Sequence, residues 1–233
     1  DGFNINVDSA VLNENLFEEY SKNNDFDYCV AVDGDGDRII LADNKGTIFS
    51  GDDILYTLAA RNKVLGKKAS DKVVGTVMSN QGLVEALEKL DISFLRTEVG
   101  DKFISRELVK NDLNVGAEPS GHIIQREFSE SGDANIALIQ TLSALQELDT
   151  TMAEIKSKIS YKPLTLKNFS VKDATIIETE GFNGTLENLK KNHPDARISV
   201  RKSGTEPIVR AMVEADTETE KDKILDKIES LIS

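Results

Sequence analysis

The sequence is poor in the residues that mark secreted and membrane proteins. Its 233 residues include one cysteine, no tryptophan and four prolines. A single cysteine excludes a disulfide framework, and Cys29 lies in the apolar run 28–32, which predicts a buried thiol in a reducing compartment. No apolar run approaches the roughly 20 residues that are needed to span a bilayer. We therefore expect a cytoplasmic protein without a membrane partner.

Positive charge is also scarce. The chain carries 28 lysines and arginines against 41 aspartates and glutamates, a net charge of -13. Because such a field repels polyphosphate, we expect no nucleic-acid partner, and any bound anion must be held by a local cluster of basic groups. The length is generous for one domain, so we expect more than one. The chain begins at Asp1 within a strand-like or loop-like segment, which we interpret as a missing N-terminal part.

Alternating strand and helix patterns organise the larger part of the chain. Two short strands joined by a glycine-aspartate loop over 27–42 are followed by helical spacing from Asp52, and then by further strands and helices. Asp133 is predicted to cap a helix, and Thr151 begins a capping box. Strands alternating with helices predict a parallel α/β layer. Beyond residue 162, mixed strands and a last helix predict a small α+β domain.

The first loop with chemical character reads DGDGDR, residues 33–38. Its carboxylates at alternate positions, Asp33, Asp35 and Asp37, can converge on one hard divalent cation, since the glycines let the backbone fold sharply. Arg38 beside them suggests a bound phosphate, because guanidinium matches phosphate oxygens in a bidentate way. The glycine and the glutamate that an EF-hand requires are both missing, which argues against a calcium loop. The plain alternative is an acidic hairpin turn.

A second polar loop lies between two apolar strand-like segments and reads GAEPSGH, residues 116–122. Glu118, Ser120 and His122 bring a carboxylate, a hydroxyl and an imidazole together, and such groups can bind sugar hydroxyls. The histidine could instead relay a proton near neutral pH. Taken alone, a plain turn with a surface histidine explains this loop equally well.

The third loop concentrates positive charge in an acidic chain. It reads RKSGTEP over residues 201–207 and is followed by a strand that contains Arg210. Two arginines, a lysine, two hydroxyls and a glycine that exposes backbone amides form a local anion trap, and a phosphate monoester suits it. The alternative is a basic hairpin tip that is paired with nearby acids.

Together and in this order, the three loops resemble those of the phosphohexomutase superfamily, which carries a DGDGDR metal loop, an E-x-SGH sugar loop and a C-terminal phosphate loop. We use these names for residues 33–38, 116–122 and 201–207. The sequence RKSGTEP, with the strand IVRAMVE after it, resembles the phosphoglucosamine mutase branch, as do GTVMSN at 75–80 and VGDKF at 99–103. The match covers nearly the whole chain.

The resemblance implies a fold and a domain organisation. The expected fold class is α/β: a phosphohexomutase-type α/β domain with a mixed sheet, followed by a smaller α+β, TBP-like domain. Family members have four domains, with a phosphoserine in the first. The segments expected here are the end of domain 2 with the metal loop (1–48), domain 3 with the sugar loop (49–149), a linker (150–162) and domain 4 with the phosphate loop (163–233).

The resemblance also implies an activity. The intact enzyme is expected to interconvert glucosamine 6-phosphate and glucosamine 1-phosphate through a phosphoserine and a bisphosphate intermediate. The substrate partner is thus a hexosamine phosphate, and the missing N-terminal domains of the same enzyme are a second partner. A homodimer is a further expectation. Because none of its serines lies in the family's phosphoserine setting, this chain alone is expected to be inactive.

Site roles carry over residue by residue. Magnesium would be bound by Asp33, Asp35 and Asp37. Arg38 would contact the phosphoserine phosphate, and His122 would lie close to the reacting end; both are counted as catalytic. Sugar hydroxyls would be bound by Glu118 and Ser120. The phosphate that does not react would be held by Arg201, Ser203, Gly204, Thr205 and Arg210.

One position departs from the family pattern, and other readings stay open. Many relatives place a lysine where this chain has Glu98, so the identity of the general base is open. A solvated surface acid explains Glu98 equally well. The alternatives are a phosphomannomutase or phosphoglucomutase, and a non-catalytic sugar-phosphate-binding module. A haloacid-dehalogenase phosphatase would need a threonine in its D-x-D-x-T loop, which the metal loop lacks.

Overall fold

The computed structural model describes residues 14–23, 25–171, 173–203 and 207–232. The chain divides into two compact units, unit 1 up to Ser160 and unit 2 from Tyr161. Within the described ranges, every helix is too short or too polar to cross a bilayer.

Unit 1 combines two sheets with helices. Its elements are, in chain order, α1 (Glu14–Lys22), β1 (Tyr28–Val32), β2 (Ile39–Asp43), β3 (Ile48–Phe49), α2 (Gly51–Val64), β4 (Lys72–Thr76), α3 (Gln81–Glu88), β5 (Ser93–Thr97), α4 (Asp101–Lys110), β6 (Val115–Ala117), β7 (Ile123–Gln125), α5 (Ala134–Glu147) and α6 (Met152–Lys158). β1, β2 and β3 form an antiparallel sheet. The larger sheet has the order β5-β4-β6-β7, in which β5 and β6 run parallel to β4 and β7 runs antiparallel to β6. The predicted mixed α/β sheet is therefore confirmed.

Apolar side chains on both faces of the larger sheet bury it between helices. Val73 of β4 belongs to a core cluster with residues of α2, α3 and α5, whereas its neighbour Val74 packs with Ile104 and Leu108 of α4. Successive side chains of a strand point to opposite faces, so β4 is covered on both sides. The small sheet joins the first cluster through three side chains of β2 and β3: Ile39, Leu41 and Phe49. This shared core fixes the metal loop, which precedes β2, relative to the α/β layer.

Local capping chemistry sets the starts of two helices as the sequence predicts. The Asp133 side chain accepts hydrogen bonds from the backbone N–H groups of Asn135 and Ile136. Thr151 and Glu154 form a complete capping box at the start of α6. The prediction of a buried Cys29 is wrong: the thiol is half-buried, because β1 lies at the edge of its sheet.

Unit 2 is a three-stranded antiparallel sheet with helices, which confirms the predicted small α+β fold. Its elements are β8 (Leu164–Ser170), a 3-10 helix (Ala174–Glu178), α7 (Glu180–Asn192), β9 (Arg197–Lys202), β10 (Ile208–Glu214) and α8 (Glu218–Ile232). The sheet order is β8-β10-β9. One face of β10, with Val209, Ala211 and Val213, packs into a core with Ile224 and Ile228 of α8. On the opposite face Arg210 is exposed, whereas Met212 and Glu214 are buried.

Candidate functional site

The metal loop brings its three carboxylates together. Asp33, Asp35 and Asp37 each offer one oxygen, and these oxygens all lie within 4.8 Å of one another. The Oδ1 atom of Asp37 is buried and has no hydrogen-bond partner among the described residues. Oxygen donors at this spacing, one of them buried and unsatisfied, fit a hard cation such as Mg²⁺. The residues present therefore suit the cofactor that the sequence predicts.

The electrostatics of the loop agree with a cation site. Burial raises the pKa of the Asp37 carboxyl, His122 lowers it, and the neighbouring Asp33 and Asp35 raise it further. Like charges that crowd together disfavour ionisation, and a divalent ion removes this repulsion. Arg38 is half-exposed, and its Nε lies 3.7 Å from Asp33 Oδ2. Its guanidinium is thus placed beside the carboxylates, where a phosphate could also reach it.

Backbone hydrogen bonds pair the sugar loop with the metal loop. Arg38 and His122 form an isolated antiparallel bridge, and the Ile39 N–H donates to the Gly121 carbonyl at 3.1 Å. Gly121 has φ +93°, and a Cβ there would lie 2.1 Å from the Ile39 carbonyl oxygen. The glycine is therefore required twice, by its conformation and by the close approach of the β2 backbone. Two loops far apart in sequence form one continuous surface.

Within the sugar loop, the three predicted groups have different surroundings. Glu118 is 9% exposed, and its Oε1 accepts from the Gly100 N–H at 2.8 Å. The Ser120 hydroxyl donates to Glu118 Oε2 at 3.3 Å. His122 is only 4% exposed, with Nε2 3.3 Å from Asp37 Oδ2. The surface-histidine alternative is therefore wrong.

The phosphate loop lies in unit 2 and is described in part. Arg201 on β9 stands directly opposite Arg210 on β10, and both are exposed. Residues directly opposite in an antiparallel pair have side chains on the same face of the sheet, so the two guanidinium groups share one face of unit 2. The Ser203 N–H donates to the Ile208 carbonyl at 2.9 Å and holds the loop's base closed. Gly204 and Thr205 lie outside the described residues.

Two supporting groups were missed by the sequence reasoning. The Gly100 N–H, at the start of α4, orients Glu118. In the sequence, segment 99–103 shows a family resemblance but gives no sign of this contact. The helical spacing that begins at Asp52 does not predict its burial: the residue is 3% exposed, and its Oδ2 accepts from the Asn80 N–H at 2.9 Å. Burial raises the pKa of Asp52 to about 7. The available signal was its place two residues before the apolar residues Ile54 and Leu55.

Comparison with known families agrees with the fold. A family model described as "Phosphoglucomutase/phosphomannomutase, alpha/beta/alpha domain III" matches residues 50–161. A second, described as "Phosphoglucomutase/phosphomannomutase, C-terminal domain", matches residues 154–231. The chain therefore belongs to the phosphoglucomutase/phosphomannomutase family.

Similar curated proteins point to one branch. The chain is 36% identical over 234 residues to the phosphoglucosamine mutase of Oceanobacillus iheyensis, covering 100% of this chain and 52% of the relative. It is 35% identical to the phosphoglucosamine mutase of Bacillus subtilis, covering 99% of this chain and 52% of the relative. The chain thus spans about half the length of the curated relatives it matches.

Solved structures share the fold at lower identity. Aspergillus fumigatus N-acetylphosphoglucosamine mutase in complex with GlcNAc-6P and magnesium superposes with a TM-score of 0.72 at 20% identity. That match covers 94% of this chain and 52% of the other. Another crystal structure of the same A. fumigatus enzyme gives a TM-score of 0.74 at 21% identity, covering 93% and 51%. These likenesses support the fold alone.

Proposed function

We propose that this chain supplies the metal, sugar and phosphate loops of a phosphoglucosamine mutase, which interconverts glucosamine 6-phosphate and glucosamine 1-phosphate. The observation that carries the proposal is the 36% identity to a phosphoglucosamine mutase along the whole chain. The phosphoserine that would exchange the phosphoryl group belongs to a part of the enzyme outside these 233 residues. The chain alone would then bind substrate without turning it over. A cytoplasmic location fits a chain with one cysteine.

The metal loop would hold the reacting phosphoryl group. Asp33, Asp35 and Asp37 would bind Mg²⁺, which when bound neutralises charge on the phosphoryl oxygens. Arg38 would pair with the phosphoserine phosphate, a role supported by its position beside Asp33. Phosphoryl transfer depends on positioning and charge neutralisation more than on covalent help from many side chains, so this small set of groups is sufficient.

The sugar and phosphate loops would orient the substrate. Glu118 and Ser120 would bind sugar hydroxyls, with the Glu118 carboxylate fixed from behind by the Gly100 N–H. His122 would lie next to the reacting end, beside the metal ligands. The phosphate that does not react would be held by Arg201, Ser203, Gly204, Thr205 and Arg210. The register supports this assignment, because it places two exposed guanidinium groups opposite each other at the base of the loop, and guanidinium groups match phosphate oxygens in a bidentate way.

Calorimetric titration of this chain tests the assignment. With Mg²⁺ present, we expect glucosamine 6-phosphate to bind more tightly than glucose 6-phosphate. Arg201→Ala should abolish binding, whereas Lys190→Ala, on α7 of the same unit and paired with Glu187, is the matched control and should bind normally. Equal binding of both sugars would favour a phosphoglucomutase. Binding that survives in Arg201→Ala would contradict the phosphate loop.

A chimera tests the activity itself. The chain joined to the N-terminal half of the O. iheyensis phosphoglucosamine mutase should convert glucosamine 6-phosphate, while the chain alone should not. Turnover by the chain alone would contradict the proposal, because the chain is assigned no phosphoryl acceptor. A chimera that folds and binds substrate without turnover would support a non-catalytic binding module instead.

A further inference from the structure

His122 lies where the two loops of unit 1 meet. Its imidazole is 4% exposed, and its Nε2 is 3.3 Å from Asp37 Oδ2. Its Nδ1 is buried without a hydrogen-bond partner in the part of the chain that the structure describes. In the tautomer with its proton on Nε2, the ring would direct that N–H at the Asp37 carboxylate. Among the described residues, the polar contact of this ring is therefore with a metal-loop carboxylate.

The ring has little freedom to leave this contact. The His122 carbonyl accepts from the Glu118 N–H at 3.0 Å, and the residue pairs with Arg38 across the bridge. On the other side, a Cβ at Gly132 would lie 2.5 Å from His122 Nε2. The Ala134 N–H, just beyond, donates to the Gly36 carbonyl of the metal loop at 3.0 Å. Backbone on two sides thus confines the imidazole against Asp37.

The two oxygens of Asp37 have different surroundings. Oδ2 faces the imidazole, whereas Oδ1 is buried and lacks a hydrogen-bond partner among the described residues. A ligating carboxylate is commonly held by a partner that leaves its other oxygen for the ion, and such partners fix the ligand's orientation. The imidazole contacts Oδ2, so Oδ1, which accepts no hydrogen bond among the described residues and lies 3.9 Å from Arg38 Nε, is the oxygen available to a cation.

We propose that His122 is a positioning residue that acts through Asp37 and sets the affinity of the metal loop for Mg²⁺. The inference deepens the proposed function and rests on its metal site. It also gives the sugar loop a second task, because the residue that orients a metal ligand comes from the loop that carries Glu118. A nearly buried imidazole directed at Asp37 fits this task better than direct contact with a sugar.

Titration of the 233-residue chain with Mg²⁺ by calorimetry tests this role. His122→Phe keeps a planar ring in the space beside Gly132 but removes both nitrogens, and we expect it to weaken Mg²⁺ binding by about 10–100-fold. His122→Gln retains an N–H group near the position of Nε2 and should recover most of the loss. His193→Phe is the matched control: His193 also contacts a carboxylate, Glu220, at 2.7 Å, but it lies in unit 2. It should bind Mg²⁺ as the parent does.

A spectroscopic readout separates positioning from a general effect on folding. The chain has only two histidines, so a long-range ¹H–¹⁵N spectrum contains two imidazoles. Mg²⁺ should shift the His122 resonances and leave those of His193 in place.

Equal Mg²⁺ affinity in the parent, His122→Phe and His122→Gln would overturn the role of His122 while leaving the metal site intact. Unshifted His122 resonances at saturating Mg²⁺ would overturn it as well. A parent chain that binds no Mg²⁺ would overturn the metal site itself, and this inference with it.

Discussion

Asp52 carries a stability cost that should appear as pH dependence. The carboxyl is 3% exposed, its Oδ1 has no hydrogen-bond partner among the described residues, and burial raises its pKa from 3.8 to about 7. Below about pH 4 the group is protonated in the folded and the unfolded chain alike. Between about pH 4 and 7 only the unfolded chain releases the proton, so the free energy of unfolding falls as the pH rises.

The size of the effect follows from the same pKa. The interval between 3.8 and about 7 corresponds, at 1.36 kcal/mol per pH unit, to about 4 kcal/mol lost by pH 8. Asp52→Asn cannot ionise and keeps an acceptor for the Asn80 N–H, so this loss should vanish. The new amide N–H₂ finds no ready partner, which costs about 1–3 kcal/mol at every pH. The free energy of unfolding of Asp52→Asn, relative to that of the parent, should therefore rise from pH 5 to 7. At pH 8 the variant should be the more stable chain.

Hydrogen exchange of peptides from α2 is the suitable assay, because it reports on unit 1 alone. Exposure times are scaled to the intrinsic exchange rate at each pH. Asp53→Asn is the matched control: Asp53 is fully buried but accepts from the Ser50 N–H at 2.8 Å and lies 3.0 Å from Lys156 Nζ. Loss of the Asp53 carboxylate should destabilise α2 by about 1–3 kcal/mol. A parent-to-Asp52→Asn difference that stays constant from pH 5 to 8 would refute the reasoning.

Three further predictions concern single positions. Gly121→Ala should cost about 3 kcal/mol or more in urea unfolding, since the new Cβ meets the Ile39 carbonyl at 2.1 Å; Gly66→Ala, with φ +62° but open space, should cost only about 1–2 kcal/mol. Thr151→Ala removes the N-cap of α6 and should lower stability by about 1 kcal/mol, and unchanged exchange of α6 amides would contradict that role. Arg210→Lys keeps the charge but not the bidentate fork, so titration should show sugar-phosphate affinity reduced about tenfold; unchanged affinity would mean that the fork is not used.

Local features of the fold could be predicted from the sequence. The caps at Asp133 and Thr151 depend on hydrogen bonds to backbone groups two or three residues away, so a short stretch of sequence determines them. Contacts between residues that lie far apart in the sequence limit such predictions. Thr217 accepts from the Glu220 N–H at 3.2 Å as a capping box requires, but Glu220 Oε1 lies 2.7 Å from His193 Nδ1, a contact that no local pattern predicts.

The composition of the candidate site was predictable, but its mutual geometry was not. Alternating aspartates indicate a cation loop because ligand type and spacing lie within six residues. The burial of His122 depends on the pairing of the sugar loop with Arg38, a residue far away in the sequence. The sequence alone is equally compatible with an exposed turn at His122. Likewise, the burial of Asp52 results from the approach of Asn80, which only the assembled sheet brings about.

The close-packed glycines of unit 1 bear on how such enzymes can be recombined. A Cβ at Gly51 would lie 1.8 Å from the Glu118 carbonyl oxygen, and Gly121 and Gly132 leave similarly little room beside Ile39 and His122. Each of these segments therefore tolerates only the backbone path of its neighbours. Exchanging residues 116–122 alone between relatives would import a loop without its matching surroundings. The smallest transplantable piece is the pair of segments 33–51 and 116–132, moved together.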